Sequence, residues 1–227
     1  MKPIINYARR NLKYAWPANW KAGGKAVYRR LTKSGVLFAT EDLGMASLYP
    51  EKKIERILSL VKPKSVLDVG CGTGRTLSEI RRRGIVVLGV EASSAAISAS
   101  GCPALIVRHD LRRLLDLRRR FDLVWCFEVA EHIHPDYVET FVDTLVRHSD
   151  AIAFSAAPPG QGGEGHFNEQ PAYYWITKFS VRGFRLSPEW TDELRSVDEF
   201  YSENMMVFLR DLPSVPLVSG ASAGRPS

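Results

Sequence analysis

The sequence predicts an α/β domain, a mostly parallel sheet covered by helices on both faces. Three observations carry that expectation. From residue 50 onward, short β-branched apolar runs alternate with longer amphipathic stretches, the pattern of strands that each need a helix to cross back. One run passes straight into the turn Gly70-Cys71-Gly72-Thr73-Gly74, where glycines let the backbone bend sharply and approach a ligand lying across strand ends. At 227 residues and 45% hydrophobic, the chain can bury one substantial core.

In chain order, strands are expected at 65–69, 86–91, 104–109, 121–127, 150–156, 184–187 and 204–210, each a short run rich in Val, Ile, Phe or Leu. Helical spacing occupies 74–83, 93–100, 135–147 and 171–181, with a shorter helix over 189–197. Residues 1–49 form a separate arm, residues 50–211 the domain and residues 212–227 a tail rich in Pro, Ser, Gly and Ala, too poor in apolar surface to order itself. The net charge of +6 is concentrated in the arm. Its first 40 residues hold nine Lys and Arg and no acid, interleaved with Tyr7, Tyr14, Trp16, Trp20 and Tyr28, which leaves the rest of the chain slightly acidic.

Several classes are disfavoured. Cys71, Cys102 and Cys126 form no CxxC pair, which argues against a disulfide framework or a thiolate zinc site and fits a reducing, cytoplasmic setting. No apolar run reaches the roughly 18 to 20 residues that span a bilayer, and no secretory signal pattern opens the chain. A nicotinamide fingerprint would need a third glycine at position 75, where Arg75 stands.

Asp68 followed by Gly70-x-Gly72-x-Gly74 instead resembles the first motif of the class I S-adenosylmethionine-dependent methyltransferases. Later positions agree in order and spacing. Val90-Glu91 closes the second strand, His109-Asp110-Leu111 the third, and Phe121-Asp122-Leu123-Val124 opens the fourth. The resemblance, over roughly residues 50 to 210, implies a Rossmann-like, doubly wound sheet of seven strands with the last antiparallel, and S-adenosylmethionine as cofactor. It implies a cofactor site of Asp68, Gly70, Cys71, Gly72, Gly74, Glu91, Ala92, Asp110, Leu111, Phe127 and Glu128. Glu91 would accept the ribose hydroxyls, Asp110 would meet the adenine amino group, and Cys71 would contribute its backbone.

The fourth strand leads into Phe127-Glu128-Val129-Ala130-Glu131-His132-Ile133. If this segment turns helical at once, Glu128, Glu131 and His132 share one face. Glu-x-x-Glu-His resembles a motif of the ubiquinone-biosynthesis O-methyltransferases and of the bacterial and plant small-RNA 2′-O-methyltransferases; in the RNA group it binds a divalent metal together with a distant histidine. Here the distant histidine is His166, in a glycine-rich loop flexible enough to close over substrate. Its surroundings, GHFNEQPAYYW, look instead like those of uncharacterised bacterial methyltransferases of small-molecule type.

Three readings of the cluster stand side by side. His132 serves as base or acceptor-orienting residue with a glutamate fixing its tautomer; or Glu128, Glu131, His132 and His166 hold a divalent metal; or the residues are structural. The first is preferred, because positioning and a base suffice for an already electrophilic methyl. The catalytic candidates are thus His132, Glu131 and His166, for transfer to a hydroxyl of a small molecule. The alternative is an RNA 2′-O-methyltransferase whose basic arm meets phosphates and stacks on bases. A third possibility is a cofactor-binding module without catalysis. His109, His134 and His148 are expected to be incidental, and the Arg81-Arg82-Arg83 and Arg118-Arg119-Arg120 runs solvated. Oligomeric state is not legible in the sequence.

Overall fold

The structure, a computed structural model, describes residues 49–163 and 165–211. The expected basic arm, bar Tyr49, and the expected tail lie outside the described residues. Seven strands form one sheet in the order β3-β2-β1-β4-β5-β7-β6: β1 Ser65–Val69, β2 Val86–Glu91, β3 Ile106–Arg108, β4 Leu123–Cys126, β5 Ala151–Ser155, β6 Phe184–Leu186 and β7 Met205–Arg210. Pairings from β3 to β5 are parallel, and β7 runs antiparallel to both β5 and β6. This is the expected Rossmann-like sheet. The order reverses between β1 and β4, so a crevice opens at their carboxyl ends.

Alternation along the strands divides the core in two. Val124 and Cys126 of β4 pack with Leu67, Val69, Phe154 and Phe208 on one face, while Leu123 and Trp125 pack with Val66, Ala153 and Val207 on the other. This is the period-two signature of a sheet buried on both sides. Helices α4 (Val138–His148) and α5 (Ala172–Ser180) cover the first face through Phe141, Leu145, Trp175 and Phe179, with Phe179 stacked on Phe208 at 4.0 Å. Helices α1 (Glu51–Val61), α2 (Arg75–Arg82) and α6 (Pro188–Arg195) cover the second through Ile54, Ile57, Leu77, Ile80 and Leu194. The short α3 (Ser94–Ala99) is capped by Ser93, whose hydroxyl accepts from Ala96 N at 3.1 Å. Among the described residues no helix is long and apolar enough to cross a membrane.

Helix α1 is absent from the sequence-based assignment, and His148 departs from it. Far from incidental, the His148 ring is buried. Its Nδ1–H donates to Thr144 O at 2.6 Å and its Nε2 accepts from Leu117 N at 3.1 Å, so the neutral tautomer clamps the 115–121 segment to α4. Burial holds its pKa below the ordinary value. Because the unfolded chain binds the proton more readily, this contribution is complete above about pH 6.5 and is lost as pH falls towards the folded pKa. Urea midpoints of the wild-type protein should therefore drop between pH 7.5 and 5, and the drop should shrink in His148→Gln; parallel pH profiles would contradict the clamp.

Candidate active site

The glycine turn leaves β1 with its backbone in the left-handed region at Gly70 (φ 78°), Gly72 (55°) and Gly74 (73°). Gly70 N and Cys71 N both donate to Val90 O, at 2.8 and 3.1 Å, which ties the turn to β2. A Cβ at Gly70 would lie 2.4 Å from Val129 Cγ2, so the turn also packs against the segment that follows β4. Glu91 organises the other side. Its carboxylate accepts from Gly72 N at 2.9 Å and from Ala92 N and Ser93 N at 2.8 Å each.

Asp68 lies beneath this turn, 3% exposed, its pKa pushed up to about 8 by burial and then by the Glu91 charge. Cys71 is buried and burial raises its thiol pKa, in keeping with a backbone role. Asp110 is held by Arg112 through Nε and Nη2 at 2.6 to 3.0 Å, next to the buried Leu111. Phe127 stacks on Trp125 at 5.5 Å and meets the rings of Phe200 and Tyr201. Every residue expected for the cofactor thus stands at or just beyond the carboxyl end of β1, β2, β3 or β4.

The segment after β4 differs from the helical expectation. Glu128 takes a left-handed φ of 52°, and a single 3-10 turn follows at Ala130–His132. The shared face is broken. The Glu128 carboxylate accepts from Asn204 Nδ2 at 3.1 and 3.2 Å and from Gln161 Nε2 at 3.1 Å. Glu131 and His132 come together instead with His166: one ligand atom from each lies within 4.8 Å of the others, and the two imidazole centroids are 5.0 Å apart.

Backbone bonds build this convergence. Phe167 N and Asn168 N both donate to Glu131 O, at 2.9 and 3.0 Å. The glycine-rich loop, expected to be a flexible lid, is gathered by Glu169, whose carboxylate accepts from Gly160 N at 2.7 Å, Gly162 N at 2.6 Å and His166 Nδ1 at 3.1 Å. His132 Nδ1 donates to Gly165 O at 3.0 Å. A carboxylate and a carbonyl can only accept, so both rings carry a proton on Nδ1, and in the neutral form of each ring the lone pair lies on Nε2.

The electrostatics are unusual. Glu131 is completely buried and neither of its carboxylate oxygens has a hydrogen-bond partner of acceptable geometry. Burial, then the Glu128 charge, pushes its pKa well above the usual carboxylate range, against a weaker opposing pull from the N–H groups of Glu131 and Ala157. His132 is pushed down to about 4, mainly by burial and also by His166, with the Gly165 carbonyl opposing. A buried carboxylate without a donor is costly, and such groups concentrate at functional sites. Asn204, Gln161 and Glu169 were missed from sequence. Glu169 stands three positions after His166 and could have been read as its partner, whereas Asn204 reaches Glu128 from 76 positions away with no local signal.

A cleft of about 710 Å³ opens between residues 158–161 and residues 195–204, lined in part by Gln161 and Asn204, the two residues that hold Glu128.

Residues 45–150 match a family model described as "Methyltransferase domain". The matched residues span the glycine turn and strands β1 to β4 of the Rossmann-like sheet. Among curated proteins, the chain is 36% identical over 92 residues to the ubiquinone biosynthesis O-methyltransferase of Coxiella burnetii, a stretch covering 37% of this chain and 38% of that protein. The match therefore spans little more than a third of that relative. Among solved structures, the sugar N-methyltransferase of a Streptoalloteichus species superposes with a TM-score of 0.57 at 16% identity, over 86% of this chain and 96% of that one. The magnesium protoporphyrin IX methyltransferase of Synechocystis, with bound S-adenosylhomocysteine, gives 0.56 at 15% identity over 84% and 95%. At these identities the likeness establishes the fold.

Proposed function

We propose that the chain is an S-adenosylmethionine-dependent methyltransferase that methylates a hydroxyl of a small molecule beside the Glu131-His132-His166 cluster. The observation that carries this reading is the pairing of two groups at adjoining strand ends. One is a glycine turn braced by Glu91; the other is a buried carboxylate with two imidazoles whose tautomers are set. The cofactor supplies an electrophilic methyl on its sulfonium. The residues of the chain do the rest. Glu91 would accept the ribose hydroxyls and Asp110 meet the adenine amino group, as the family resemblance implies, and the raised pKa of Asp68 suits a carboxyl that ionises when a cation arrives. His132, held by Gly165 O, offers Nε2 as the atom that takes the acceptor's hydroxyl proton as the oxygen attacks.

A second reading of the same cluster is favoured by the unpartnered Glu131 carboxylate. A divalent cation on Glu131, His132 and His166 would satisfy that carboxylate, and the Nδ1 anchors on Gly165 and Glu169 are of the kind that orient metal-bound imidazoles. The mixed nitrogen and oxygen donor set fits Mg, Mn, Fe or Zn. Bound there, the cation would act as a Lewis acid that lowers the hydroxyl's own pKa, and the depressed pKa of His132 would keep its ring neutral and able to ligate. Glu128, engaged by Asn204 and Gln161, is not needed in the set. The RNA-directed alternative draws on the basic arm, which lies outside the described residues.

The test is transfer of labelled methyl from S-adenosylmethionine into a metabolite extract, before and after EDTA. Label should enter a small-molecule product, with turnover that survives EDTA if His132 is the base and that is lost until a divalent cation is restored if the second reading holds. Activity indifferent to EDTA eliminates the cation and leaves His132 as the unaided base; no transfer at all contradicts the proposed activity.

A further inference from the structure

The cleft lined in part by Gln161 and Asn204 has a polarity that its composition does not reveal. Several of its side-chain donors are turned inward. Gln161 Nε2 and Asn204 Nδ2 donate to Glu128, and Asn204 Nδ2 also reaches Gln161 Oε1 at 2.9 Å. The hydroxyls of Ser196 and Ser202 donate to the carbonyls of Glu193 and Val197, at 2.8 and 2.6 Å. Arg195 gives Nε to Met205 O at 2.8 Å. Because a carboxylate is acceptor-only, the Glu128 bonds fix the orientation of both amides.

Acceptors are what remain on the cleft side. Asn204 is 9% exposed and lines the cleft, and no donor among the described residues is recorded on its Oδ1. The carboxylates of Asp198 and Glu203 stand at the exposed rim, likewise without a recorded hydrogen bond among the described residues. Gln161 and Asn204 at once line the cleft and hold Glu128, the residue that leads from β4 into the segment carrying Glu131 and His132. A phosphate or carboxylate entering here would meet the like charges of Asp198 and Glu203, opposed among the described lining residues by the Arg195 guanidinium, whose Nε is given to Met205 O, and part of its lost hydration would go unreplaced. A ligand bearing O–H or N–H groups would find an acceptor for each.

We infer that this cleft is the acceptor-binding site and that it selects a donor-rich small molecule, an amino or polyhydroxyl compound with no anionic group on the end that enters. Asn204 Oδ1 provides the deep contact, and Glu203 and Asp198 provide charge complementarity at the mouth. The volume of about 710 Å³ falls in the range of small-molecule sites. The inference rests on the methyl-transfer reading for its assignment to the acceptor.

The experiment separates a metabolite extract by ion exchange into anionic, neutral and cationic pools and equilibrates each with the full-length protein. Retained compounds are identified by mass spectrometry after ultrafiltration, and S-adenosylmethionine binding is measured independently by calorimetry. Retained compounds should come from the neutral or cationic pools. Glu203→Lys, at the exposed rim, should lower their retention about tenfold with cofactor affinity unchanged, and Asn204→Leu should lower it at least as far. Retention from the anionic pool, retention unaltered in Glu203→Lys, or no retained compound at all overturns the inference. Wild-type protein that retains donor-rich compounds yet does not bind S-adenosylmethionine would instead contradict the methyl-transfer reading and leave the cleft's selectivity standing.

Discussion

Replacing Glu131 by methionine is expected to raise the stability of the EDTA-treated protein while lowering turnover by about a hundredfold or more. The two effects share one cause. The Glu131 carboxylate is completely buried with no hydrogen-bond partner of acceptable geometry, and an unsatisfied buried polar group costs about 1–3 kcal/mol. Methionine has a comparable length and no polar atom to desolvate, so it should recover that amount, and for a domain of this size about 2–4 °C of melting temperature accompanies each kcal/mol. Function runs the other way. Methionine offers neither a charge to hold a cation nor an acceptor beside His132 and His166, whose ligand atoms converge on this position. A residue that destabilises the fold and is needed for turnover is the behaviour of a site group. Calorimetric melting with EDTA present checks the first half, and a variant that melts below wild type would show that Glu131 is partnered in solution.

Gly70→Ala is expected to lower cofactor affinity about a hundredfold or more and to cost about 2–5 kcal/mol of stability, the sum of left-handed backbone strain and overpacking. Gly70 sits at φ 78°, and its new Cβ would stand 2.4 Å from Val129 Cγ2 and 3.0 Å from Cγ1. Neither side can yield easily. Gly70 N and Cys71 N are bonded to Val90 O, and the segment beyond Val129 is fixed where Phe167 N and Asn168 N meet Glu131 O. Relief therefore requires moving the glycine turn or the Glu128–Glu131 segment, and either shift disturbs the proposed site. Titration calorimetry and urea unfolding on the same preparation separate the two effects; wild-type affinity in this variant would remove the glycine turn from the cofactor site.

Much of the fold was legible because it rests on local pattern. In β4, for example, Leu123 and Trp125 face one core and Val124 and Cys126 the other, and an uninterrupted apolar run of this kind announces a doubly covered strand. Helix α1 escaped because Glu51, Lys52, Lys53, Glu55 and Arg56 crowd its first turns. Lys53 is completely buried through Glu199, the Phe200 carbonyl and the rings of Phe127 and Phe200, a tertiary arrangement with no periodicity to betray it. The glycine turn and the acid at the end of β2 could be read directly, since a strand-turn-helix context gives those residues one geometry.

The cluster was legible in its members but not in its partition. Glu128, Glu131 and His132 suggested one helical face, yet a non-glycine residue at positive φ is uncommon and nothing near Glu128 signals it. The left-handed step sends Glu128 towards Asn204 and Gln161 and leaves Glu131 with the histidines. The approach of His166 depends on Glu169 gathering Gly160, Gly162 and the imidazole at once, a many-body arrangement that spacing does not encode. His148 departs from its expected incidental role for a similar reason: the end of a helix favours a cation, whereas the Leu117 N–H that arrives from another segment requires a neutral ring.

The central claim is that the crevice at the ends of β1, β2 and β4 binds S-adenosylmethionine, and its most direct test is a calorimetric titration of S-adenosylmethionine into the wild-type protein, repeated with S-adenosylhomocysteine present. The account predicts saturable binding of one molecule per chain at or below about 1 mM, the upper end of ordinary substrate affinities, and displacement by the demethylated product. An absence of binding at that concentration, or binding that S-adenosylhomocysteine does not displace, would contradict it.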